Sequence, residues 1–168
     1  MLLKPFGGQS RFSLEANLDA AHGLNGSFLL KGPMHKVRIP DKTPTPSFTD
    51  FLWKQTCFEL FIRHKNGTYL EWNFSPSGHW ACYEFSSYRK KKTNRDNIHP
   101  VIQTHGDGEQ FSLEVSLSKV ANPRDYQYGL SAVIITEEGS EFFAIDHFGQ
   151  QPDFHDSRSH CYNIRPKP

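Results

Sequence analysis

Charge of one sign is what this sequence lacks first: nineteen Lys and Arg against eighteen Asp and Glu leave a formal net charge of +1. No overall field therefore draws the chain to nucleic acid or to an anionic membrane. The local run Arg89-Lys90-Lys91-Lys92, with Arg95, reads as a solvated loop rather than a nucleic-acid contact. No apolar stretch is long enough to span a bilayer, and the segment Met1 to Gly8 lacks the apolar core of a signal peptide. The expectation is a cytoplasmic chain with no membrane partner. Cysteine is scarce too: Cys57, Cys82 and Cys161 form no closely spaced pair. An odd count is a poor disulfide framework, so they read as buried free thiols under reducing conditions. Also missing are a glycine-rich phosphate loop, a nucleophile elbow, a zinc-protease helix and a Cys-x-x-Cys pair. Without the common enzyme signatures, the chain reads as one that is not an enzyme.

What is abundant is aromatic. Fourteen Phe, six Tyr and three Trp make up 14% of the 168 residues, while Ala and Leu are too sparse for long helices, so strands are favoured. Eleven Pro and twelve Gly spread along the chain suit many short elements separated by turns. The length fits one domain, residues 1–168, with a full core. Phe12, Leu14, Ala16 and Leu18 alternate with polar residues, as in a strand with one buried face. After a turn at Asn25-Gly26 come strand candidates at 27–31 and, more weakly, 36–39. Residues 41–47, with two prolines, read as an exposed loop. Later candidates are 79–85, with Ala81, Tyr83 and Phe85 inward and Trp80 outward, then 101–103, 111–117, 130–136, 141–145 and 161–165. About ten short, mostly antiparallel strands without a long amphipathic helix predict an all-β fold, a β-sandwich or jelly roll.

The sharpest local pattern is a hairpin of residues 56–63 and 68–74. Phe58, Leu60 and Ile62 share one face with Leu70, Trp72 and Phe74. Matching these faces across the turn requires an odd loop, which Lys65-Asn66-Gly67 supplies with Gly67 left-handed. His64 then faces Thr68, Phe61 faces Glu71 and Glu59 faces Asn73, all but the first pair on the side away from the hydrophobic core.

That polar side is where chemistry can be placed. Glu59 and Glu71 could form the carboxylate pair of a glycosidase, but acids on neighbouring strands more often bind than catalyse. Asp146, His147, Asp153, His155, Asp156 and His160 include metal-capable side chains, yet their spacing matches no closed metal site, and no metal is assigned. Sugars present weakly apolar C–H faces bordered by hydroxyls, so their sites combine exposed aromatic rings with Glu, Asn or Arg. Trp53, just before the Glu59 strand, could lay its indole over the polar side or else cap the core.

The segment Leu52-Trp53-Lys54-Gln55-Thr56-Cys57-Phe58-Glu59-Leu60-Phe61-Ile62 resembles the Trp, five residues, Glu-Ile-Phe-Ile stretch of the family 9 carbohydrate-binding modules. Tyr69-Leu70-Glu71-Trp72-Asn73-Phe74-Ser75-Pro76-Ser77-Gly78-His79-Trp80-Ala81 and Pro152-Asp153-Phe154-His155 resemble small bacterial DOMON-like proteins of the same architecture, and the likeness spans most of residues 10–165. In the sugar-binding modules the Trp is one wall of an aromatic clamp and the Glu six residues later bonds the sugar hydroxyls. The resemblance so implies Trp53 and Glu59 as ligand-binding residues, with Asn73 and Glu71 on the adjoining strand. The opposing Trp falls at Phe154 or His155 here, and an acid, Glu71, stands near where the modules have a basic residue.

The resulting expectation is a non-catalytic module that holds the end of a saccharide between Trp53 and Phe154, oriented by Glu59, Glu71, Asn73 and His155. No cofactor is required. A structural calcium ion, carried by some such modules, stays open. So does haem, bound in the wider DOMON group by His and Met or by two His, for which Met34 and nine His are on hand. A protein-interaction scaffold is the third reading. Nothing in the residues sets the oligomeric state.

Overall fold

A computed structural model describes residues 1–19, 23–117 and 126–162. Eleven strands carry the fold: β1 (Leu2–Pro5), β2 (Ser13–Asp19), β3 (Leu24–Lys31), β4 (Cys57–Arg63), β5 (Tyr69–Phe74), β6 (Trp80–Ser87), β7 (Lys90–Asn94), β8 (Val101–Gly106), β9 (Gln110–Leu117), β10 (Gln127–Ile135) and β11 (Ser140–Ala144). They run in the order β7-β6-β5-β4-β10-β11-β1-β2-β3-β9-β8, and every pairing is antiparallel. β1 pairs with both β11 and β2, so one continuous sheet folds over into two layers. The layers meet through alternate apolar residues. Phe58 of β4 packs 5.2 Å from Phe28 of β3 and 6.1 Å from Phe111 of β9. Leu14, Leu30 and Leu113 face Leu60, Trp72 and Leu130 within this core. Each large side chain so buried contributes about 1.5–3 kcal/mol. The expected all-β sandwich is present.

The β4–β5 hairpin has the register that its sequence predicts. His64 N donates to Thr68 O, Gly67 takes φ 88°, and Glu59 pairs with Asn73 and Phe61 with Glu71. Other expectations need correction. Asn25-Gly26 is not a turn but lies inside β3, where a Cβ on Gly26 would come within 3.0 Å of Val115 Cγ1; the glycine answers to crowding, not to a bend. Residues 36–39 form no strand. Flanked by Pro33 and Pro40, which cannot donate to a ladder, they make a 3-10 turn at Met34–Lys36 and a single bridge from Val37 to Thr136. The basic run is an edge strand, β7, exposed throughout; with no buried face it has no apolar alternation, and lysines guard its open edge.

Strand β6 is inverted relative to expectation. The turn after β5 pairs Phe74 with Trp80 and Asn73 with Ala81, so Trp80 enters the sandwich core. Ala81, Tyr83 and Phe85 lie on the opposite side with Phe61, Tyr69 and Leu52 in a second cluster. Cys57 and Cys82 are buried, but Cys161 is exposed. Of the last expected strand, Tyr162 makes one bridge to Tyr128; residues 163–165 lie outside the described residues. No helix among the described residues is long and apolar enough to cross a membrane.

Candidate functional site

Antiparallel sheets usually leave one face wet, but β4, β5 and β6 are buried on both sides. The far side of these strands is covered by the loops at residues 48–55 and 148–160, and between them and the sheet lies a cleft of about 560 Å³. Its floor is the sheet itself. Tyr83 and Phe85 of β6, Glu71 of β5, Glu59 of β4, Val133 of β10 and Phe142 of β11 line it. The walls come from Phe51 and Trp53 on one loop and Pro152, Phe154 and His155 on the other, with Arg89 and Lys91 beside β6. Trp53 is 44% exposed, whereas Trp72 and Trp80 are 1% and 2%. The indole therefore stands on the rim and does not cap the core.

Two acids form the deep part. Glu59 is 3% exposed and Glu71 6%. They sit diagonally on adjacent strands, where same-face neighbours are roughly 7–8 Å apart. Burial pushes the Glu59 carboxyl well above the usual carboxylate range, and the neighbouring Glu71 adds to it, while a hydrogen bond from Ser131 Oγ to Oε2, 3.1 Å, opposes it. Glu71 is raised by burial too, moderated by Asn73, Arg89 and Lys91. The Asn73 amide donates to Glu71 Oε1 at 2.8 Å.

His155 is oriented by a relay. The Arg89 backbone N–H donates to the Tyr69 hydroxyl at 3.0 Å, leaving the phenol proton for His155 Nδ1 at 2.8 Å. With the phenol as donor the ring carries its hydrogen on Nε2, which lies 3.5 Å from Glu71 Oε2. Burial, helped by Arg89, holds His155 down to about 4, so it is a neutral donor near neutrality. Asp153 ties this loop to the β6–β7 turn by accepting from Tyr88 Oη at 2.6 Å and Arg89 Nη2 at 2.8 Å. On the opposite wall Tyr83 Oη donates to Asp50 Oδ1 at 2.9 Å and accepts from Phe51 N at 3.4 Å. Among the described residues the two non-glycines with positive φ, Phe51 (63°) and Arg89 (53°), both line the cleft. Such conformations cost of order 1–3 kcal/mol and persist where surroundings over-determine them.

The fold of this chain aligns with that of a candidate carbohydrate-binding protein from Bacteroides uniformis ATCC 8492, with TM-score 0.67 and 11% identity over 94% of this chain and 83% of the other. The likeness is one of fold. No protein-family model and no curated protein matches the chain.

Five of the six expected ligand residues, Trp53, Glu59, Glu71, Phe154 and His155, meet in the one cleft. Asn73 is fully buried and does not line it; pointing beneath Glu71, it positions that acid. The other lining residues were not anticipated, although Tyr83 and Phe85 follow from the correct β5–β6 register and Arg89 and Lys91 belong to the basic run read as loop. Met34 is in the sandwich core, away from the cleft. The acids of the His- and Asp-rich stretch are individually engaged, Asp146 by Lys4, Asp153 by Arg89 and Asp156 by Arg158. Among the described residues no group of three or more His, Cys, Asp or Glu is placed to hold a metal ion.

Proposed function

We propose that this chain is a non-catalytic binding module that seats the end of a saccharide in the cleft between Trp53 and Phe154. The observation that carries the reading is a half-exposed indole on the rim of a cavity whose floor is two buried acids. An indole offers a flat apolar face to sugar C–H groups, and Glu59, Glu71 and the His155 N–H offer acceptors and a donor to the hydroxyls at its edge. The volume suits one or two rings, within the range of small-molecule sites. The fold shared with the candidate carbohydrate-binding protein supports the same reading, as does the resemblance of the Trp53–Glu59 segment to the family 9 modules. Asn73 acts through Glu71 and not on the ligand.

Tryptophan fluorescence titrated with a panel of mono- and disaccharides tests this. Trp72 and Trp80 are sealed in the core, so the response must come from Trp53, and Trp53→Ala should abolish it while leaving the fold intact. Unchanged emission and no heat of binding across the panel would overturn the proposal.

A further inference from the structure

The deepest acid of the cleft has no cation of its own. Arg89 is held by Asp153 at 2.8 Å, and the Lys91 ammonium rests 4.0 Å over the Tyr83 ring. Both act electrostatically on Glu71. No cation reaches Glu59: its Oε2 takes the Ser131 hydroxyl, and among the described residues nothing donates to its Oε1. Yet this side chain is 3% exposed and lines the cleft. A buried carboxylate is costly unless a cation or several donors meet it. A third acid, Asp50, lies on the rim, and the rings of Phe51, Trp53, Tyr83, Phe85 and Phe154 line the cleft along with Arg89 and Lys91. Ring faces above a carboxylate are the surroundings an ammonium group seeks.

We propose that the saccharide seated in this cleft is an amino sugar in its ammonium form, with the N–H groups directed at Glu59 Oε1 and the ring face against Trp53. This rests on the saccharide reading above. It also has a proton balance. Sharing the cleft with Glu59 are Asp50, Glu71, Tyr83, Arg89, Lys91 and His155, with Cys57 beneath. In the free protein burial and Glu71 raise the Glu59 carboxyl above the ordinary carboxylate range. When an ammonium arrives, the carboxylate accepts N–H bonds from the ligand and any proton it held passes to solvent, so amine binding releases protons to the extent that free Glu59 carries them. A neutral sugar leaves any such proton in place and releases none.

Isothermal titration of the full chain across the acid-to-neutral range, below the ordinary pKa of an amine, decides the matter with glucosamine, glucose, N-acetylglucosamine and glucuronate. Glucosamine should bind at least about tenfold tighter than glucose, and neither N-acetylglucosamine nor glucuronate should share that gain. Repeating the titration in buffers of different ionisation enthalpy should show proton release with glucosamine that grows as the pH is lowered, and none with glucose. Glu59→Gln should bring glucosamine down to the level of glucose; the wild-type proton count stands on its own if that variant fails to fold. Glucose binding as tightly as glucosamine, or an amine preference that survives Glu59→Gln, overturns the amino-sugar inference and leaves saccharide binding intact. Failure of every sugar to bind, here and in the wider fluorescence panel, overturns both.

Discussion

Gly129 sits on β10 opposite Phe61 of β4, directly under the ring of His160, and replacing it by Ala should damage both the fold and the cleft. Its backbone needs no left-handed conformation; what it lacks is room. A Cβ would come within 2.4 Å of His160 Cδ2, 3.1 Å of His160 Nε2 and 3.2 Å of Phe61 Cβ. The imidazole has little freedom to retreat, because it is 1% exposed, stacks on Phe61 at 4.8 Å and bonds the Phe154 carbonyl from Nε2 at 2.9 Å. Ala gains about 0.4–1 kcal/mol by restricting the unfolded chain, against about 1–3 kcal/mol for overpacking. The expected net loss is about 1–2 kcal/mol, or roughly 2–4 °C in Tm per kcal/mol for a chain of this size. Any shift of His160 drags Phe154, so ligand affinity should fall several-fold in the fluorescence titration. A double-mutant cycle isolates the cause: in a His160→Ala background Gly129→Ala should cost less than about 0.5 kcal/mol. Wild-type stability and affinity in the single variant, or an undiminished cost in the His160→Ala background, would refute the reasoning.

Two further outcomes are expected. Asn73→Ala should cost about 1–3 kcal/mol in urea unfolding by stripping the buried Glu71 of a donor, and should weaken ligand binding although Asn73 touches no ligand; unchanged affinity would separate Asn73 from the site. Stability should also depend on pH with two opposed limbs. His155 and His160 are drawn from 6.5 down to about 4, chiefly by burial. The unfolded chain therefore binds more protons in that interval, and stability held above pH 6.5 is lost as pH falls toward 4, by up to about 1.4 kcal/mol per pH step for each group. Glu59 moves the other way: raised above 4.5, it binds its proton more tightly when folded, so its contribution is lost as pH rises through its folded value. Glu59→Gln should therefore gain on the wild type as pH increases, which denaturant unfolding across the acid-to-neutral range would show; a constant difference at every pH would contradict the assignment.

How much of this was legible depended on whether polar residues marked one face of a segment. The β4–β5 hairpin alternates cleanly and closes through Gly67, so its register, and with it the placement of Glu59, Asn73 and Glu71, could be counted out residue by residue. β6 could not be counted in this way, because both its faces are apolar and the period-two signal vanishes; Trp80 and Tyr83 look interchangeable until the turn fixes which enters the core. β7 fails for the opposite reason, having no apolar face at all. The cleft was half visible. Trp53 could be singled out, but whether its indole faced outward depended on the Phe51 turn, and no local pattern shows that loops 48–55 and 148–160 close over the same strands. Asn73 is the instructive case: its position was right, yet its depth, which decides whether it touches ligand or supports Glu71, is a property of the covering loops.

The cleft draws its floor from strands and its walls from loops, and these two parts carry different burdens. The strands bearing Glu59 and Glu71 present Leu60 and Trp72 to the core on their reverse side, so even a modest change in them is transmitted to the joint between the layers. The segments bearing Phe51, Trp53 and Phe154 touch that joint much less. Selectivity on this scaffold should therefore be retunable by exchanging the two overhanging segments, with the acidic platform kept as a fixed receptor for polar groups.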